Sequence, residues 1–142
     1  MSATSAPIEF RGFDHMQLEV RDLEESLAFY RRHFGFELRQ VGLRLGRRWA
    51  IVGVAGYFLS LHEDRAKARV GAAGIRITHF GLITGDFLAA RAHLVEAGVR
   101  VDPPEALIEY DGSRSFYFFD PSGHKVEVSE VWGGGLGEPA RS

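Results

Sequence analysis

The 142-residue chain contains no cysteine. That absence excludes a disulfide framework, a thiolate nucleophile and a Cys-ligated zinc. Any metal ion must then be held by His, Asp or Glu. Lysine is almost missing as well, since 15 of the 17 basic residues are Arg. Arg supplies planar forks suited to carboxylates and phosphonates. There is no excess of positive charge. A net charge of −2 argues against a general nucleic-acid binder. No apolar run approaches the length that crosses a membrane. Met1 to Pro7 lacks the charged and apolar regions of a signal peptide, so the cytoplasm is the expected compartment. What remains is ordinary globular material, 45% hydrophobic and 25% charged. That composition excludes disorder over most of the chain. The length suits one domain, which buries roughly 70% of its unfolded surface.

Residues 10–132 are expected to fold, with flexible tails at 1–9 and 133–142. Phe13 to Val20 alternates like a strand. Asp22 is a candidate N-cap with Glu25 three residues later. Leu23, Leu27, Tyr30 and Phe34 follow at helical spacing, and Gly35 suits the stop. Segments 36–45, 48–54 and 57–62 read as strands separated by glycine turns. The same order returns in the second half. Residues 75–83 read as a strand, and Asp86 opens a helix that ends at Gly98. Segments 99–101, 106–109, 114–119 and 125–131 follow as strand material. Asp102-Pro103-Pro104 interrupts the first of these. His15 overlays His79, Asp22 overlays Asp86, Gly35 overlays Gly98 and Gly56 overlays Gly123, in order and at nearly constant offset. The expectation is an α+β protein built as an internal repeat. Its two βαβββ modules cover about 10–64 and 75–132 and form a concave mixed sheet.

Three ionisable residues interrupt apolar strands: His15, His79 and Glu127. A buried carboxylate needs a partner or a metal. A lone strand His is usually a packed residue with satisfied hydrogen bonds. Its recurrence at one place in both repeats argues for more. Two imidazoles and a carboxylate make a facial ligand set for Fe, Mn or Zn, with open positions for substrate. Tyr117, ten residues before Glu127 across a turn, is a candidate proton donor or substrate anchor. Its alternative is an aromatic core residue. Arg114, with Ser113 and Ser115, is a candidate substrate-binding cluster at the mouth of that strand, or else a solvated strand end. Arg44, Arg47 and Arg48 read as a solvated hairpin tip. His33, His93 and His124 receive no role.

These residues carry a family resemblance. The motif from Ser115 through Asp120-Pro121-Ser122-Gly123 to Glu127, and the opening Asp14-His15-Met16 with Ala28-Phe29-Tyr30, resemble the vicinal-oxygen-chelate superfamily. That superfamily includes glyoxalase I, bleomycin resistance proteins, fosfomycin resistance proteins and extradiol dioxygenases. The resemblance implies that His15, His79 and Glu127 bind one divalent ion and that Tyr117 is an active-site residue. It implies a small substrate that chelates the metal through adjacent oxygens, and a homodimer whose modules pair within or between chains. The fourth carboxylate ligand of glyoxalase I-like enzymes falls on Ser60 here, with His62 and Glu63 nearby. The additional acid–base His of extradiol dioxygenases falls on Tyr57. The leading expectation is a metal-dependent enzyme, fosfomycin-resistance-like or dioxygenase-like. The alternative is a metal-free drug-binding protein of bleomycin resistance type, with a groove lined by Trp49, Phe58 and Phe118.

Overall fold

The computed structural model describes Pro7, Phe13 and residues 15–66, 77–110 and 113–130. The expected tails lie almost wholly outside these residues. The first module runs β1 (Met16–Val20), α1 (Leu23–Phe34), β2 (Glu37–Arg44), β3 (Arg47–Val54) and β4 (Tyr57–Glu63). The second runs β5 (Phe80–Ile83), α2 (Phe87–Glu96), β6 (Val101–Asp102), β7 (Ile108–Tyr110), β8 (Ser113–Phe119) and β9 (Lys125–Ser129). Strand order is β1-β4-β3-β2 in one sheet and β5-β9-β8-β6 in the other, with β7 also on β8. The two orders are the same. The place of β2 is shared by β6 and β7, because Pro103 and Pro104 break the second strand there. Among the described residues each module forms its own sheet, where the sequence suggested one shared concave sheet.

Local signals explain the helices. The Asp22 carboxylate accepts from Glu25 N–H and the Asp86 carboxylate accepts from Ala89 N–H, at 3.1 and 3.0 Å. Each satisfies a helix-end donor that otherwise has no partner. Gly35 ends α1 in the left-handed region at φ 66°, which an L side chain resists.

Each sheet covers one face with its helix. Leu18, Val20, Ala50, Val52, Leu59 and Leu61 bury against Leu23 and Tyr30 of α1. Phe116, Phe118, Val126 and Val128 bury against Phe87 and Leu94 of α2. Successive strand residues point to opposite faces. The alternate positions therefore turn away from the helices, and Tyr117 and Glu127 of one sheet and Ser60 and His62 of the other lie there.

The modules are joined through α1. Phe29 and Phe34 pack on Phe118 with ring centroids 5.9 and 5.3 Å apart. The buried Tyr30 hydroxyl donates to Asp120 Oδ2 at 2.8 Å. Burial and the Asp120 charge push the Tyr30 pKa well above its ordinary value. Asp120 Oδ1 accepts from Ser122 and His124 N–H at 3.0 and 2.8 Å. Arg21 N–H donates to Ser122 Oγ at 3.0 Å, and His124 Nε2 lies 2.6 Å from the Glu19 carbonyl oxygen. The Asp-Pro-Ser-Gly turn of the second module is thus clasped to the β1–α1 corner of the first.

Candidate functional site

The face of the second sheet turned away from α2 gathers four polar side chains. In register, Glu127 lies between Gly81 of β5 and Tyr117 of β8. His79 immediately precedes β5, and its Nε2 lies 3.1 Å from Glu127 Oε2. The Tyr117 ring stands edge-on to the His79 ring, with centroids 5.2 Å apart and planes at 81°. Lys125 Nζ sits 4.0 Å over the Tyr117 ring, a cation–π contact. Thr78 Oγ1 lies 3.0 Å from His79 Nδ1. That contact orients the ring and leaves Nε2 toward the carboxylate.

Glu127 is only 7% exposed, and among the described residues its Oε1 has no hydrogen-bond partner. A buried carboxylate oxygen without a donor is costly. A cation resolves that cost, and an imidazole beside a carboxylate is a donor pair that first-row divalent ions accept. The residues present therefore fit a metal ion. His79 and Glu127 also line a cavity of ≈ 1110 Å³ that reaches Tyr57 of the first module.

The other candidates lie elsewhere. His15 precedes β1 on the first sheet, exposed, in a smaller cavity with Arg39, Ile51 and Phe58. Among the described residues, no three His, Asp or Glu side chains converge within one chain. The structure thus brings His79, Glu127 and Tyr117 together and leaves His15 apart. Ser115 opposes Ser129 in register. It is fully buried, and among the described residues its Oγ has no hydrogen-bond partner. Ser113 is buried and its Oγ donates to the Arg114 carbonyl at 3.3 Å.

Arg114 points the other way. It shares strand parity with Phe116 and Phe118, so it turns toward α2, with its guanidinium 5.7 Å from the Phe87 ring centroid. Its Nε and Nη2 donate to the two Glu130 carboxylate oxygens at 2.9 and 2.8 Å. The first module repeats this arrangement. Arg48 Nε and Nη2 donate to the two Glu63 oxygens at 3.2 and 2.8 Å. Both pairs sit one position beyond matching register pairs, Trp49 with His62 and Ser115 with Ser129. Arg114 is therefore the second copy of a structural clasp, on the face away from Tyr117. The first copy also shows that Arg48 is more than a solvated hairpin tip. Arg48 Nη1 additionally reaches Glu24 at 2.6 Å.

Register also fixes the equivalents of Glu127. Ser60 lies between Gln17 and Ile51, as Glu127 lies between Gly81 and Tyr117. Its Oγ is 2.9 Å from His62 Nε2, on the same face. The His62 ring stacks beside the Trp49 indole, centroids 6.3 Å apart at 18°. Burial, with Arg44 and His15 nearby, lowers the His62 pKa. Trp49 lies across β2 at Gly42, where any Cβ would collide with the indole. Glu63 faces α1 instead. Phe118 is fully buried in the core and lines no groove with Trp49 and Phe58.

The motifs now have a fold and a site to match. The Glyoxalase/Bleomycin resistance protein/Dioxygenase superfamily model matches residues 12–128. The chain belongs to that superfamily. Among individual relatives, it is 31% identical over 123 residues to the glutathione transferase FosA of Serratia marcescens, covering 83% of this chain and 79% of that one. It is 30% identical over 122 residues to the metallothiol transferase FosB of Shouchella clausii, covering 82% and 78%. Its fold superposes with TM-score 0.65 on the fosfomycin resistance protein FosX of Listeria monocytogenes, solved with Mn(II) and sulfate. That pair is 19% identical and covers 86% of this chain and 93% of the other.

Proposed function

We propose that this chain is a divalent-metal-dependent enzyme of fosfomycin-resistance type, opening the epoxide of a small phosphonate with a thiol or water. The observation that carries the reading is Glu127, buried beside His79 and Tyr117 with one carboxylate oxygen unpartnered. Identity to thiol transferases over four-fifths of the chain supports the same reaction class.

His79 and Glu127 would hold the ion from one sheet, and His15 of a second copy of the chain would complete the ligand set. That pairing accounts for a His15 that stands exposed on the other sheet of its own chain. The bound ion supplies Lewis acidity toward adjacent substrate oxygens. Thr78 orients His79, and Ser115 offers a buried hydroxyl toward the same strand pair. Attack by the thiol or water at an epoxide carbon forms the new C–S or C–O bond as the ring C–O bond breaks to an alkoxide, and the proton the nucleophile loses passes to solvent, from which Tyr117 is reprotonated. The Tyr117 phenol, beside His79 and under Lys125, is positioned to hydrogen-bond that oxygen and pass it a proton.

The test is direct. Calorimetric titration with Mn(II) or Zn(II) is expected to show one saturable site per chain. Glu127→Gln should weaken it by more than about 100-fold, beyond the usual cost of an outer-shell change. Phosphorus NMR of fosfomycin with glutathione, or with no thiol, should show metal-dependent consumption. Tyr117→Phe should slow it by about 100-fold. Equal metal affinity in wild type and Glu127→Gln would sink the proposal.

A further inference from the structure

We propose that His33 and His93 form a second metal site, taking a borderline transition cation such as Ni(II), Cu(II) or Zn(II) between the two helices. His33 Nδ1 and His93 Nε2 lie 2.9 Å apart. Their rings meet edge to face, with centroids 5.1 Å apart at 82°. Two nitrogens bound at about 2.1 Å and at right angles on one ion stand about 3.0 Å apart. The observed separation is thus already that of a cis pair of ligands. One of the two nitrogens carries the proton of the hydrogen bond that now joins them, so that ring must move its proton to its other nitrogen as the rings turn both lone pairs toward one ion.

Four further features agree. Each His lies in the last turn of its helix, one from each module. Phe29 packs edge-on against the His33 ring, centroids 4.7 Å apart, and limits its motion. Burial, with His93 and Arg32 adding to it, lowers the His33 pKa. The ring is therefore neutral at pH 7, as a ligand must be. His93 is exposed and His33 half-buried, so water can fill the remaining positions. Among the described residues no third ligand joins the pair, and the Arg32 charge opposes a cation. The site is accordingly expected to be weaker than one with a carboxylate. Its effect is to cross-link α1 to α2, and so one module to the other.

Nickel chloride titrated into the untagged full chain, by calorimetry and by dialysis with metal analysis, tests this. Wild type should bind one more Ni(II) per chain than either His33→Gln or His93→Gln. Nickel should also raise the melting temperature of wild type more than that of either variant, because it binds only the folded clasp. The difference of one ion holds whether or not the Glu127 set is occupied, so the two proposals fail separately. With Cu(II), electron paramagnetic resonance of wild type should carry a two-nitrogen signal in addition to that of the Glu127 set, and each variant should lose only the additional one. Equal ion counts in wild type and both variants would overturn the site. Circular dichroism checks folding. If one variant unfolds, the other, on the opposite helix, carries the same comparison. Unfolding of both would mean that the pair is a structural contact, which also overturns it.

Discussion

Glu63 ends β4 and Glu127 lies in the middle of the equivalent strand β9, and each is 7% exposed. Their surroundings differ completely. Glu63 accepts from Arg48 twice, from Arg65 at 3.2 Å and from Leu23 N–H at 2.8 Å. The Arg48 hydrogen bonds lead in holding its pKa down to about 2. Glu127 has His79 on one oxygen and, among the described residues, no hydrogen-bond donor on the other. One carboxylate lies on the helix side of its sheet, at the end of α1, and fastens strands to helix. The other lies on the opposite face and has unused valence. Equal burial thus says little about role. The number of donors around a buried charge separates a structural carboxylate from a functional one.

The whole repeat follows that division. On the helix faces the modules match, down to the Arg48–Glu63 and Arg114–Glu130 forks. On the opposite faces they diverge. Ser60 stands for Glu127, His62 for Ser129 and Trp49 for Ser115. The fold constrains the first face, so both copies keep its chemistry. The second face carries no such constraint, and the proposed site lies on it.

Three changes probe this contrast. Glu63→Gln should cost the most stability, about 2 kcal/mol at neutral pH, as charged hydrogen bonds are lost. The sign is fixed by a folded pKa below the unfolded one. Glu63 stabilises above pH 4.5, and that contribution disappears as pH falls toward about 2. Melting temperatures from pH 2 to 7 should show wild type and variant converging at the acid end. Constant separation would contradict the assignment. Tyr30→Phe leaves one Asp120 oxygen without its donor, at a cost of about 1–2 kcal/mol in urea unfolding. Metal affinity should not change, because the clasp lies between modules. Arg114→Ala is the smallest. It should lower the melting temperature slightly and leave substrate KM unchanged. A large rise in KM would return Arg114 to the binding site.

Much of the fold was legible in the chain. Both helices begin at the Asp read as their caps, and the His15/His79 and Gly56/Gly123 overlays anticipated two modules of one strand order. The start of the first strand was overextended, because Phe13 and His15 are apolar-pattern residues outside the ladder. The division into two sheets was not legible, since alternation fixes a face and not a neighbour. The same limit hid the site. Glu127 and Tyr117 could be placed side by side because a hairpin makes them neighbours. Arg114 was misplaced because parity with Phe116, and not closeness to Tyr117, decides its face. The Tyr30–Asp120 and His33–His93 contacts join residues 90 and 60 positions apart, and nothing local marks such a pair.

The central claim is that His79 and Glu127 are half of a site whose other half is the His15 of a second copy. Mixing two inactive variants tests it most directly. His15→Ala lacks one half and Glu127→Gln lacks the other. Co-refolded hybrids should contain one intact set, with His15 from the Glu127→Gln chain and His79 with Glu127 from the His15→Ala chain. The account predicts that tight Mn(II) binding returns in the mixture, at about one ion per hybrid dimer. A mixture that binds no more metal than either variant alone would contradict it.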